Sequence, residues 1–318
     1  MSFVLCYNVL GRIELEVLAT ANRGDTISEI SEKLGHSESY ISRAVSDLAE
    51  KGLCHTERDG RRKRVMFSNA RAVEVYQDLV REHSHIDFPD LLTGKSPEIL
   101  YYLDQPRTVA EVAEASGNYR NTVNRVLKRL RDRGLVGSDD GRYRFNKDFE
   151  RLNEFARELA HHLHRQRLEA VTSRGTILWD GYDEFLAQTD SEIDTEGFHE
   201  TGLARFAAYD LQFLLTGKRY YFYSEHLEAV EPAELCCHTL LIDDDTRYRS
   251  YCLLLLSHAD VGEDELREAA SKYGLVDEID ALLRYLRNNG DGAIEDNRLP
   301  KWSAFEELAA DYEVTLQR

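Results

Sequence analysis

The stretch TISEISEKLGHSESYISRAVSDLAEKGL, from Thr26 to Leu53, decides the fold because the chain contains it twice. An offset of 82 positions places Thr26 on Thr108, Ile30 on Val112, Gly35 on Gly117, Ile41 on Val123, Arg43 on Arg125, Leu48 on Leu130, Gly52 on Gly134 and Leu53 on Leu135 without a gap. A fixed offset held over 28 residues, apolar on apolar and glycine on glycine, marks a duplicated structural unit. Ile27, Ile30 and Leu34 share one face of a short helix that starts behind Thr26 and stops at Gly35, a residue suited to left-handed backbone. Ser37 then caps a second helix whose inner face is Ile41, Val45 and Leu48. Helix, tight turn and second helix read as a helix-turn-helix.

The outward face of that second helix carries Ser39, Tyr40, Ser42, Arg43 and Ser46. Small hydroxyls, one aromatic ring and one guanidinium suit phosphates and base edges, which carboxylates would repel. The second copy is more basic: Asn118, Tyr119, Arg120, Asn121, Asn124, Arg125 and Lys128 project, while Val123, Leu127 and Leu130 face inward. Asn can bond adenine with two hydrogen bonds and Arg can bond guanine in the same way.

A two-stranded wing is expected after each pair of helices, from Leu53 to Ser68 and from Leu135 to Asn146, with hairpin turns at Asp59-Gly60 and Asp140-Gly141. Arg61, Arg62, Lys63 and Arg64 follow the first turn, and Arg142 follows the second. Such cations meet a DNA backbone or minor groove. The expected DNA-binding set is therefore Ser37, Ser39, Tyr40, Ser42, Arg43, Arg61 to Arg64, Asn118 to Asn121, Asn124, Arg125, Lys128 and Arg142, and the expected partner is double-stranded DNA. Winged helices also serve as protein-binding modules, so a protein partner stays open here.

Charge divides the chain. Residues 1–148 hold 23 Lys and Arg against 23 Asp and Glu, whereas residues 149–318 hold 17 against 35, so the second half carries the whole net charge of −18. DNA would repel that half. The acidic bias, with 31 Arg but only 9 Lys, resembles proteins of salt-adapted archaea, in whose molar salt charges are screened within about 3 Å. Five cysteines without a C-x-x-C spacing argue against a disulfide framework or a zinc ribbon. With no apolar leader and no run of transmembrane length, a soluble cytoplasmic protein without a membrane partner is expected.

The fold class expected is mainly α with α+β: two tandem winged helix-turn-helix domains followed by a mixed α+β C-terminal domain. The boundaries read as winged unit one, 1–69; connecting helix and linker, 70–95; winged unit two, 96–148; a long linker or dimerisation helix, 149–171; and an acidic regulatory or interaction domain, 172–318. The first helix is expected within Phe3 to Ala21. The helix from Ala70 to His83 reads either as a surface that pairs two copies or as internal packing, with a polar linker through Pro89 after it. In the helix from Phe149 to Val171 a narrow apolar seam repeats at Leu152, Ala156, Leu159 and Leu163, and His161, His162 and His164 read as solvent-exposed.

In the last region, strands are expected at Thr176 to Trp179, Arg219 to Tyr223 and Leu235 to Ile242. Helices are expected at Thr201 to Leu215, Thr246 to Leu256, Glu263 to Tyr273, Val276 to Arg287 and Ser303 to Tyr312. Cys236-Cys237-His238 on a strand would put the thiol of Cys236 and the imidazole on one face, but no carboxylate is fixed beside them. Asp243 to Asp245 read as a strand-end loop that caps a helix. No nucleotide-binding loop is present. No catalytic residue, metal site or cofactor is expected.

WDGYDEFL (179–186), TGLARFAAYDL (201–211), RYYFYSE (219–225), KYGL (272–275) and LPKWSAFEELAADYEV (299–314) resemble archaeal winged-helix regulators whose second domain is similar to the antitoxin of abortive-infection type E systems. That resemblance implies a DNA-binding autorepressor and a partner nucleotidyltransferase toxin. The winged units resemble MarR- and ArsR-type regulators, although the bacterial antitoxins have one such unit and this chain has two.

Overall fold

Thr26 starts its helix by a reciprocal pair of hydrogen bonds. Its hydroxyl accepts from the Glu29 amide at 3.3 Å, and the Glu29 carboxylate accepts from the Thr26 amide at 2.7 Å. The same box closes at Thr108 with Glu111, at 3.2 and 2.7 Å. A computed structural model of the chain describes residues 10–60, 62–214, 217–291 and 297–316. It divides into two units, residues 1–167 and 168–318.

In the first unit, α1 (Arg12–Thr20), α2 (Ile27–Leu34) and α3 (Glu38–Glu50) lead into the antiparallel hairpin β1 (Cys54–Asp59) and β2 (Arg62–Phe67). After α4 (Arg71–Glu82) and the short α5 (Phe88–Leu91), the order recurs. It runs through α6 (Ser96–Tyr101), β3 (Arg107–Thr108), α7 (Val109–Ala115), α8 (Arg120–Asp132), β4 (Val136–Asp139) and β5 (Arg142–Phe145). In each copy the capping threonine also joins the returning wing strand, Thr26 by a single bridge to Arg64 and Thr108 by pairing with Arg142 in a sheet of order β3-β5-β4. The helices bury the residues their spacing predicts: Ile41, Val45 and Leu48 on α3, and Val123, Leu127 and Leu130 on α8.

The two wings differ in length. Cys54 pairs with Phe67 and Val136 with Phe145, so the offset of 82 on the leading strand falls to 78 on the returning one. The first wing has two more residues per strand and reaches about 7 Å further. Its turn is also displaced from the expected place: Asp59 still pairs with Arg62, which leaves Gly60 (φ +61°) to open the turn. In the second wing Asp140 (φ +47°) and Gly141 (φ +74°) form the two-residue turn as expected.

The first helix, Arg12–Thr20, lies within its expected span, of which residues 1–9 are outside the described residues. Two other expectations for this unit are corrected. The polar linker expected through Pro89 instead runs into α5, whose Phe88 and Leu91 are buried. The histidines of α9 (Arg151–Val171) are not solvent-exposed: His164 is fully buried and His162 bonds the Lys51 carbonyl at 2.9 Å. The buried stripe runs through Leu152, Phe155, Ala156, Leu159, Ala160, His164 and Leu168, because 3.6 residues per turn carries it past Leu163.

The connecting helix α4 packs within its own unit. Tyr76 donates to the Leu15 carbonyl at 3.1 Å and stacks near Phe155, Arg71 pairs with Glu154 at 2.6 Å, and Arg151 pairs with Asp78 at 2.9 Å. Val73, Val75, Tyr76 and Leu79 are thereby buried without a second copy.

The second unit pairs β6 (Gly175–Asp180), β7 (Phe185–Thr189), β9 (Arg219–Tyr223) and β8 (Phe198–Thr201) into one antiparallel sheet of order β6-β7-β9-β8. Packed with it are α10 (Pro232–Ile242), α11 (Thr246–His258), α12 (Glu263–Tyr273), α13 (Val276–Arg287) and α14 (Trp302–Asp311). The segment expected as a strand from Leu235 to Ile242 is helix α10, started by Pro232 in its first turn. The helix expected from Thr201 is a 3-10 helix over Gly202–Tyr209, with Thr201 ending β8 and Leu215 outside the described residues.

Candidate nucleic-acid interface

Ile41, Ala44, Val45 and Leu48 hold α3 against the core of the first winged unit, which turns Ser39, Tyr40, Ser42, Arg43 and Ser46 outward. Ser37 stands at the N-cap position, but its hydroxyl lies 3.2 Å from that of Ser39 and makes no cap bond. Tyr40 is 46% exposed and packs edge-on against His36.

In the second winged unit Val123, Val126, Leu127 and Leu130 anchor α8, and Arg120, Asn121, Asn124, Arg125 and Lys128 are exposed. Tyr119, the N-cap residue, is 86% exposed. Among the described residues, none of Arg120, Arg125, Lys128 and Arg131 has an ion-pair partner. The helix is thus a cationic and amide-bearing ridge of the kind that fits a major groove.

Three members of the expected set are bound by other groups of the chain. Asn118 is half-buried; its amide donates to Glu98 at 2.8 Å and to the Ser116 carbonyl at 3.1 Å, so it supports the turn and does not project. Arg142 grips both carboxylate oxygens of Glu111, at 2.8 and 3.0 Å, and donates to the Pro106 carbonyl. That carboxylate is held below its ordinary pKa first by the Thr108 amide and then, against some desolvation, by Arg142. In the first wing Arg64 is likewise withdrawn, donating to the Gly24 carbonyl at 2.9 Å. Arg62 and Lys63 are exposed, and Arg61 lies outside the described residues.

The wing also carries a cation that the run after the turn does not contain. Arg58 is exposed on β1 and stands directly across from Lys63. Counting back from the turn would have found it, but only with the turn in its true place.

The chemistry weighed for the C-terminal domain is absorbed by packing. His238 is fully buried on α10; its two ring nitrogens lie 2.9 Å from the Thr201 hydroxyl and 2.8 Å from the Tyr273 hydroxyl, and it stacks on Phe222. Burial lowers its pKa to about 3, with nearby Lys272 acting in the same direction. Cys236 and Cys237 are buried beside it, and burial raises the Cys237 thiol far above its ordinary value. Asp244 binds the buried Arg249 at 2.6 Å and also Arg298, while Asp245 caps α11 through the Tyr248 amide. Among the described residues no group of three His, Cys, Asp or Glu side chains is placed to hold a metal ion.

A family model described as the sugar-specific transcriptional regulator TrmB matches residues 100–148, from the end of α6 to just past β5. Residues 100–148 are thus similar to a TrmB-type winged-helix regulator domain. That match supports a DNA-binding transcriptional regulator. A C-terminal family model, HVO_2833_C, matches residues 195–314, most of the second unit. No curated protein matches the chain. Among the described residues no helix is long and apolar enough to cross a membrane.

Proposed function

We propose that the chain is a sequence-specific transcriptional regulator that binds double-stranded DNA through both winged helix-turn-helix units, with the C-terminal domain acting as a non-catalytic regulatory or interaction domain. The observation that carries this reading is the exposed face of α8, where Asn121, Asn124, Arg125 and Lys128 project from a helix anchored by four buried apolar residues. Asn and Arg supply the paired donors and acceptors that distinguish bases, and the cations supply affinity for phosphate. Two units in one chain let a single molecule span consecutive grooves, or a homodimer cover a longer operator. The composition fits work in the cytoplasm of a halophilic archaeon.

Chromatin pull-down in the native host tests this reading. Sharp occupancy at a few promoters is the expected result. A flat profile in cells that contain the protein would sink it.

The second reading is an antitoxin or adaptor whose C-terminal domain neutralises a nucleotidyltransferase toxin. It is favoured by the aromatic phrases between Trp179 and Val314 and by the acidic charge of residues 149–318. It predicts a stoichiometric complex with a basic partner enzyme encoded nearby, and affinity purification that recovers no such enzyme would reject it.

A further inference from the structure

The two winged units carry their positive charge on different elements. At aligned positions, Glu38 of α3 is Arg120 in α8, Ser46 is Lys128, Asp47 is Arg129 and Ala49 is Arg131. By sequence, α3 has three acids and one base, whereas α8 has five bases and one acid. The wings show the reverse. Residues 54–67 hold five bases against two acids, and residues 136–145 hold two of each, with Arg142 already engaged by Glu111.

The longer first wing adds an independent observation. Across the hairpin Glu57 faces Arg64, but Arg58 directly faces Lys63. Like charges opposite one another destabilise a strand pair. Both side chains are exposed, and neither has an ion-pair partner among the described residues. A pair that costs stability in the free protein is relieved when a polyanion lies along it.

Resting on the DNA-binding reading above, we propose that the units engage DNA by different elements. The second unit reads bases with α8 in the major groove. The first unit holds the backbone with its extended wing, through Arg58, Arg62 and Lys63, while α3 does not read sequence. The carboxylates of Glu38, Asp47 and Glu50 would meet phosphate unfavourably if α3 were seated as deeply as α8.

The test uses the full chain with two duplexes, one that it selects from a random pool and one of scrambled sequence, titrated over a range of salt. The variant R58S/K63S should weaken both duplexes by a similar factor of about tenfold or more at low salt and reduce the salt slope by about 2. Without DNA it should melt no lower than the parent chain. Arg125→Ala should reduce the preference between duplexes about tenfold or more, and Arg43→Ala should leave it within about threefold.

An Arg43→Ala loss of preference equal to that of Arg125→Ala would overturn the division of labour. So would R58S/K63S binding both duplexes like the parent chain, or melting well below it. A parent chain that binds no duplex at any salt would instead remove the DNA-binding reading itself, a different outcome from either.

Discussion

Arg142 and Glu111 close the second wing onto its helix: the guanidinium of one holds both carboxylate oxygens of the other, at 2.8 and 3.0 Å. The arginine is thereby paired within the chain, although it is exposed and follows a hairpin turn. Arg142→Ala should leave the preference between DNA sequences unchanged and lower the thermal midpoint modestly near neutral pH. The sign with pH follows from Glu111, whose folded pKa lies below its ordinary 4.5 because of the Thr108 amide first and, further down, Arg142. Its contribution is present above about pH 4.5 and is lost as pH falls through the folded value. Denaturant titrations of both proteins across that window should therefore converge at acid pH. A gap that widens there would contradict the pairing.

A buried pair in the first winged unit should have a larger effect. Lys51 Nζ lies 2.5 Å from Glu14, both side chains are less than a tenth exposed, and Glu14 also accepts from the Gly11 amide at 2.6 Å. Lys51→Met leaves that carboxylate without its cation and should destabilise the chain by about 3 kcal/mol. Replacing both partners with apolar residues should cost less than the single change. Urea unfolding of the two variants checks this order, and equal losses would contradict it.

His238 should make the C-terminal domain sensitive to mild acid. Burial keeps the imidazole neutral in the fold down to about pH 3, while the unfolded chain takes up its proton near the ordinary 6.5. The unfolded state binds the extra proton, so stability falls as pH drops below the unfolded value, by about 2 kcal/mol between roughly pH 6.5 and 5. His238→Gln should be less stable at neutral pH, because the bridge between Thr201 and Tyr273 is disturbed, yet flatter across that window. Denaturation midpoints measured at several pH values would show whether the slope has lost one proton.

The parts of the fold legible in the sequence were those fixed by local chemistry. Thr26 and Thr108 could be recognised as caps, and Gly35 (φ +69°) and Gly117 (φ +62°) as turn residues, because each acts on neighbours within a few positions. The α10 segment LCCHTLLI was misread because Leu235 to Leu240 are all buried, and a fully buried run has no helical periodicity to display. Pro232 in the first turn was the signal for a helix. Strands β7 and β8 were missed since their four or five residues are ordered by pairing with β9, a contact distant in sequence. In the candidate interface, the faces of α3 and α8 followed from spacing alone. The bonds that occupy Asn118, Arg64 and Arg142 did not, because Glu98, Gly24 and Glu111 reach them only through tertiary structure.

Asn118, Asn121 and Asn124 place one amide inward and two outward within a short stretch of the chain. The three amides look alike in sequence, but Asn118 donates inward to Glu98, whereas Asn121 and Asn124 are exposed on α8. Asn118→Ala should cost about 1.5 to 3 kcal/mol of folding stability through the lost bond to a buried charged acceptor. DNA preference should be untouched once the variant is folded. Under the regulator reading, Asn121→Ala or Asn124→Ala should do the opposite: little change in stability, and about 1 to 3 kcal/mol lost on the preferred duplex for whichever one meets a base. Binding titrations with preferred and scrambled duplexes, paired with urea unfolding of the same three proteins, read both quantities. If Asn118→Ala alone abolished discrimination at full stability, the turn rather than α8 would be the reading element, and the placement of the interface would have to move to it.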